Sequence, residues 1–309
     1  MKRLIYEVAG ISICAVVPEH KDPSRLLPTF LPFAVSSEHE SSPDEADDSL
    51  YEASAEDRDI ALTVETCIHV DIPDGLDALV TEENDMGRTE IFNFAGNVLL
   101  RFDFRGLVSR VRLCPGYGRA EVDMDMDSEY SGAVLSSVIR TAFAQVVVFH
   151  DGLSVHSSTV VCEGKGYMFL GKSGTGKSTH SRLWMKAFPG TWLLNDDNPV
   201  IRFVDGVPLV FGTPWSGKTP CYRNASAELA AMVRLSQAPE NLFSALEPVQ
   251  AFIEIYQGTS VLRSDDLLHE KMCDMISRLI EKIMVAHLDC LPDLAAARLC
   301  RDSILSLQR

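Results

Sequence analysis

The stretch FLGKSGTGKSTHSRLW, residues 169–184, sets Gly171, four intervening residues, Gly176, Lys177 and Ser178 between an apolar run and a helix-like segment. Glycines tolerate positive φ, so a loop built on Gly171, Gly174 and Gly176 can turn its backbone amides toward one point and surround an anion. This spacing fits a phosphate-binding loop in which the lysine reaches the β/γ end of a nucleoside triphosphate and the serine hydroxyl helps to hold Mg²⁺. Lys172, Ser173, Gly174, Thr175 and Thr179 complete the cradle. The implied chemistry is phosphoryl transfer from ATP with Mg²⁺ as cofactor.

Such chemistry also needs carboxylates to hold the metal and to receive the acceptor's proton. TWLLNDDNPVI ends an apolar run in Asn195, Asp196 and Asp197. One aspartate can ligate the metal and the other can accept a hydroxyl proton, although Asp-Asp-Asn-Pro is also good turn chemistry. His156, in SVHSSTVV, could orient or tune a carboxylate, or be a hydrogen-bonded structural histidine. A second glycine-containing loop, FGTPWSGKTPCYRN, offers Lys218 and Arg223 to a phosphate or substrate carboxylate and could act as a lid, or could simply connect two elements. Arg234 and Arg263 are weaker candidates, and His180 reads as a packing or surface residue.

The elements that must position these residues follow from periodicity and turn residues. MKRLIYEVAGISICAVV imitates a secretory signal, but Glu7 interrupts it and no small-x-small cleavage pattern follows, so a β-hairpin is expected. Residues 60–126 alternate β-rich segments with turn pairs such as Arg105-Gly106, the pattern of an antiparallel meander. Residues 128–149 carry apolar side chains at helical spacing, with Ser128 as a candidate cap. Farther on, SVHSSTVVC, GYMFLG, TWLLNDD, PVIRFVDG and PLVFGTPW read as strands around the loop. A short helix is expected over 225–233 and a strand at VQAFIEIYQ, followed by helices over 269–288 and 292–307. The expected domains are a β-rich module, 1–127, and a core, 128–309.

Residues 36–59 hold ten acidic side chains against one arginine and almost nothing apolar, the composition of a mobile tether inserted in the first module. The whole chain has 28 basic and 44 acidic residues, a formal charge of −16, which makes nucleic acid an unfavourable partner. No apolar run of the length a membrane helix needs is apparent, so no membrane is expected. Eight scattered cysteines without a C-x-x-C pair fit reduced thiols in a cytoplasmic protein. The methionines fit core packing.

Together His156, the loop GKSGTGKST and the segment LLNDDNPVI one helix beyond it resemble the bacterial HPr serine kinase/phosphorylase family. That family shares its phosphate-loop fold with phosphoenolpyruvate carboxykinases, and SGTGKSTHS is similar to theirs too. The resemblance covers about residues 154–211. It implies an α/β (α+β) fold in which a β-rich module precedes an HPr kinase/phosphoenolpyruvate carboxykinase-like P-loop core with C-terminal helices. It further implies that residues 171–178 bind the triphosphate, that Lys177 contacts its β/γ end, and that Ser178 and Asp197 hold Mg²⁺. Asp196 would be the base, with His156 beside it; the order of the two aspartates stays open. The family's EIRGLGI-like segment is replaced here by GTPWSGKTPCYRN, so phosphorylase activity and HPr itself as acceptor are not carried over.

The reading that unites these features is an ATP-dependent kinase acting on a hydroxyl, with a serine of a small protein or peptide as acceptor. Relatives in peptide-modifying gene clusters act on such a serine. A kinase for a free small molecule and a non-catalytic, nucleotide-responsive binding protein are the alternatives, and a homo-oligomer is left open.

Overall fold

A computed structural model describes residues 1–35, 59–84, 87–217 and 219–307. The acidic segment read as a tether lies outside the described residues except for Asp59, and so does Lys218. The chain is mixed α/β with two sheets, and it divides into two compact units, Met1–Val146 and Val147–Arg309.

In the first unit, β1 (Lys2–Val8) and β2 (Ile11–Val17) form the expected hairpin. Its two-residue turn, Ala9-Gly10, has both φ angles positive, at 53° and 70°, which matches the strand twist. A short helix, α1 (Pro23–Leu26), is capped by Asp22, whose carboxylate accepts the Ser24 amide at 2.9 Å. There follow β3 (Leu62–Thr66), β4 (Val80–Asn84), β5 (Gly87–Phe94), β6 (Asn97–Phe104), β7 (Leu107–Leu113) and β8 (Arg119–Asp123). The strand order is β1-β2-β3-β8-β7-β6-β5-β4. Strands β4 to β8 are the antiparallel meander read from the sequence, but β3 runs parallel to both β2 and β8.

Helix α2 (Ser131–Val146) buries Leu135, Val138, Ile139 and Phe143 and lies against β3 and β7. The helix expected over 128–149 is therefore shorter. Ser128 accepts the Tyr130 amide at 3.3 Å ahead of it, and residues 147–150 close it as a 3₁₀ turn. The helix falls in the first unit, whereas the sequence reading groups it with the second. Ser131–His150 is long and apolar enough to cross a membrane, contrary to the expectation that no such run exists. Its most apolar window is 67% buried, as in a core helix.

The second unit contains β9 (Gly152–Ser154), β10 (Ser157–Cys162), β11 (Lys165–Leu170), α3 (Lys177–Ala187), β12 (Trp192–Asn195), β13 (Val200–Val204), β14 (Val207–Phe211) and β15 (Ser226–Gln237). These are followed by β16 (Leu242–Ala245), α4 (Pro248–Gly258), α5 (Asp266–Ile280), β17 (Met284–Cys290) and α6 (Leu294–Leu307). The sheet runs β12-β10-β11-β15-β14-β13-β9, with β17 added beside the far half of β15 and β16 beside β17. Strands β11, β15 and β17 are mutually parallel.

Three expectations are corrected here. The alanine-rich segment 225–233 belongs to β15, not to a helix: sheet pairing on both sides overrides helix propensity at the centre of the fold. VQAFIEIYQ is helical, started by Pro248 and buried through Ala251 and Ile255 four residues apart. The helix expected to reach residue 288 stops at Ile280, and Met284–Cys290 pairs with β15; a short apolar run has no period that separates strand from helix.

On one face of this sheet α3 and α6 cover a core of Tyr167, Phe169, Val233, Leu235, Leu288 and Ile304. Trp184 lies at its centre, with ring centroids 4.7 Å from Tyr167, 5.4 Å from Phe169 and 5.2 Å from Phe188. Its indole N–H donates to His180 Nε2 at 3.0 Å, so His180 is the packing residue expected of it. Burial holds the His180 imidazole well below its ordinary 6.5, at about 4. The unfolded chain therefore binds a proton that the folded chain refuses. The resulting stability is complete above about pH 6.5, declines as pH falls and is lost near pH 4. That interval is worth about 3 kcal/mol. Urea unfolding of wild type and His180→Phe between pH 4 and 7 should show the wild type losing this amount relative to the variant; parallel pH profiles would contradict it.

Candidate active site

Strand β11 ends at Leu170 and α3 begins at Lys177, so the glycine loop joins a buried strand to a helix as its motif requires. Gly174 and Gly176 have φ of 81° and 109°, and a Cβ at either would meet nothing within 4 Å. Glycine is needed there for the backbone conformation, and the space over the loop is open. Thr175 braces the loop, its amide and hydroxyl both donating to the Lys172 carbonyl at 3.2 and 2.8 Å. From β15, the Gln237 amide donates to the Gly174 and Thr175 carbonyls at 3.2 and 3.4 Å. No side chain caps α3, which leaves its first amides available to an anion. Lys172 and Ser173 are exposed on the loop, while Ser178 and Thr179 stand half-buried in the first helical turn.

The Lys177 ammonium donates to the carbonyls of Gly171 at 2.8 Å and Lys172 at 3.3 Å, and to His156 Nε2 at 3.0 Å. Because an ammonium only donates, Nε2 must accept, which leaves the ring hydrogen on Nδ1. His156 Nδ1 faces Asp197 Oδ1 at 3.1 Å. A continuous path thus runs from loop to lysine to histidine to aspartate. Burial pushes the Lys177 pKa below its ordinary value, Asp197 and Asp196 oppose that, and Arg234 adds to it.

His156 sits at a break: SVHSSTVVC forms two strands, β9 and β10, with Val155 and His156 between them. The His156 amide donates to the Gly258 carbonyl at the end of α4, and the Ser157 amide to the Asp197 carbonyl, at 2.8 and 2.9 Å. Asn195 organises the acidic turn. Its amide nitrogen donates to the carbonyls of Thr213 and Trp215 and to the Thr213 hydroxyl, and its oxygen accepts the amides of Asp197 and Asn198 at 3.0 Å. Asn198 donates to Asp197 Oδ2 at 2.6 Å.

Asp196 differs from its neighbour. It is 5% exposed, and among the described residues neither of its carboxylate oxygens has a hydrogen-bond partner. A buried carboxylate left this way is expensive unless something else occupies its lone pairs.

The second loop packs against this turn. The Gly217 amide donates to the Asp196 carbonyl at 3.0 Å, and Ser216 bridges Asp197. Its glycines serve close approach: a Cβ on Gly212 would lie 2.1 Å from the Arg223 carbonyl oxygen, and one on Gly217 2.8 Å from that of Asp196. Arg223 lies over the Trp192 ring at 5.2 Å, at the opposite end of β12 from the aspartates, and Arg263 over Tyr256 at 4.5 Å.

No protein-family model matches this chain, and no curated protein matches it. In structure it is similar to the Hpr(Ser) kinase/phosphatase from Coxiella burnetii, with a TM-score of 0.31 and 14% identity over 50% of this chain and 99% of that one. The relationship is a distant one.

Beside the loop, on the α3 face of the sheet, lies a cavity of about 420 Å³ lined by Thr179, Leu183, Leu235, Gln237, Leu291 and Pro292 among others. Its walls come from three separated segments, so no local motif announces it. Among the described residues no group of three or more His, Cys, Asp or Glu side chains forms a metal cage. Mg²⁺ needs no such cage, because water and substrate phosphates supply most of its ligands. The hydroxyl of Ser178 and one carboxylate of the Asp196-Asp197 turn are the donor types such a partial site uses.

Asn195→Ala would remove the side-chain acceptor of the Asp197 and Asn198 amides and a donor to the Thr213 and Trp215 carbonyls in a buried turn. A loss of about 3 kcal/mol is expected, measurable by urea unfolding, and a variant as stable as wild type would show that the turn holds itself.

Proposed function

We propose that this chain is an ATP-dependent, Mg²⁺-requiring kinase that transfers the γ-phosphate to a hydroxyl, with a serine of a small protein or peptide as acceptor. The observation that carries the reading is Asp196, buried with both carboxylate oxygens unpartnered in the unit that joins the glycine loop to Asp197 through Lys177 and His156. A structural carboxylate would be satisfied; one that must receive a proton from an incoming hydroxyl has to stay open.

In this reading the loop amides and the uncapped start of α3 hold the phosphates, and the nucleoside occupies the cavity beside Leu183 and Leu235. Lys177 exchanges its bonds to the Gly171 carbonyl and His156 for the β/γ oxygens, where it offsets the charge of the transferring group. His156, anchored through its amide to Gly258, orients Asp197. Asp196 accepts the hydroxyl proton as the new oxygen–phosphorus bond forms and the bond from the γ-phosphorus to the bridging oxygen breaks, releasing ADP. Mg²⁺, held by Ser178 and Asp197, would neutralise phosphate charge when bound. The serine acceptor is the class the family resemblance implies.

Lys177→Ala should lose ATP binding and turnover. With γ-labelled ATP, Mg²⁺ and a lysate of the protein's own source, the wild type should label a polypeptide. Asp196→Asn should bind ATP yet label nothing. Undiminished transfer by Asp196→Asn would place the base elsewhere, label in a metabolite would make the acceptor a small molecule, and ATP binding without transfer would make the chain a nucleotide-responsive binding protein.

A further inference from the structure

Arg234 lies on β15 beside Leu170, the last residue before the glycine loop, and beside His287 on β17. Strand alternation puts Val233 and Leu235 in the core under α3 and α6, so Arg234 projects to the other face of the sheet. There its Nε meets Glu254 Oε2 on α4 at 3.4 Å. Glu254 and Gly258 are one helical turn apart on the same side of α4, and the Gly258 carbonyl holds the amide of His156. His156 in turn binds Lys177, which reaches back to the carbonyl of Gly171. Arg234 is therefore enclosed by a ring of contacts whose other members hold the loop and its lysine.

Its guanidinium is only partly used. Nε makes an ion pair with Glu254 Oε2 without hydrogen-bond geometry, and among the described residues the two terminal nitrogens have no hydrogen-bond partner. The side chain is 18% exposed. A half-buried arginine whose charge is paired on its Nε side, with both terminal nitrogens free, can bind an oxyanion bidentately. Its charge also acts on Lys177, lowering its pKa, as a second cation aimed at the same point would.

We infer that Arg234 binds the terminal phosphoryl group of the nucleoside triphosphate, on the side of the sheet opposite the nucleoside cavity, and so separates triphosphate from diphosphate. This rests on the proposed function and adds to it a residue outside the glycine loop and the paired aspartates. Glu254 is a positioning residue: its charge draws the Nε side of the guanidinium toward α4 without touching the phosphate.

The test is calorimetric binding of Mg-ATP and Mg-ADP to wild type, Arg234→Ala and Arg234→Lys, with thermal melts to confirm folding. Arg234→Ala should weaken ATP binding at least tenfold and change ADP binding less than twofold, and Arg234→Lys should fall between. Equal effects on the two nucleotides, or none, would overturn the inference while leaving the kinase reading intact. A wild type that binds neither nucleotide would remove both. If Arg234→Ala fails to fold because Glu254 is left unpaired, Arg234→Lys decides the matter: it keeps a cation for Glu254, and unchanged ATP-over-ADP preference in it would count against bidentate binding.

Discussion

One lysine ammonium ties three stretches of the second unit together. Lys177 is held among two loop carbonyls and His156, and His156 is held by Asp197. Burial, with the charge of Arg234, disfavours the charged amine, and the two aspartates partly offset that. Removing any one of these groups would leave another charge without its complement in a partly dry place, where such charges are costly. The loop, the strand break at His156 and the acidic turn are therefore one electrostatic unit assembled from three stretches of sequence.

The rest of the second unit keeps that assembly rigid. Parallel strands β11, β15 and β17 point their carboxyl ends the same way, with β11 ending opposite Arg234 and β15 and β17 running on to Gln237 and Cys290, and ligand sites in sheets of this kind lie beyond the carboxyl ends of the strands. The aromatic cluster around Trp184 fixes α3, so the helix start that faces the loop is set by packing between the helix and its own face of the sheet. Asn195 does the same for the aspartates, anchoring their turn to the loop that carries Thr213 and Trp215. The sheet separates two surroundings at its end: an apolar cavity on the α3 face, and a charged wall of Arg234 and Glu254 on the α4 face.

Much of this was legible in the residues because the informative spacings are local. The glycine loop, the hairpin of β1 and β2 and the meander of β4 to β8 are all written in consecutive positions. His156 and the aspartates could be named as candidates, but the contacts of His156 with Lys177 and with Asp197 join residues far apart in sequence and depend on the sheet. The failures have a common cause. Residues 225–233 look helical by alanine content and VQAFIEIYQ looks extended by its β-branched and aromatic side chains. Both are decided by which neighbours they meet, a central sheet position in one case and a Pro248-started amphipathic turn in the other. Arg234 was only a weak candidate because its setting is made by Leu170, Glu254 and His287, none of which lies near it in sequence.

The central claim is that the glycine loop, Lys177 and the paired aspartates form a single phosphoryl-transfer site. A crystal structure with Mg²⁺ and a non-hydrolysable ATP analogue tests it most directly. The triphosphate is expected on residues 171–178, with Lys177 moved from the Gly171 carbonyl to the β/γ oxygens and Asp196 facing the terminal phosphoryl group. A nucleotide bound away from the loop, or Asp196 turned from the phosphates and closed off by a protein partner, would contradict it.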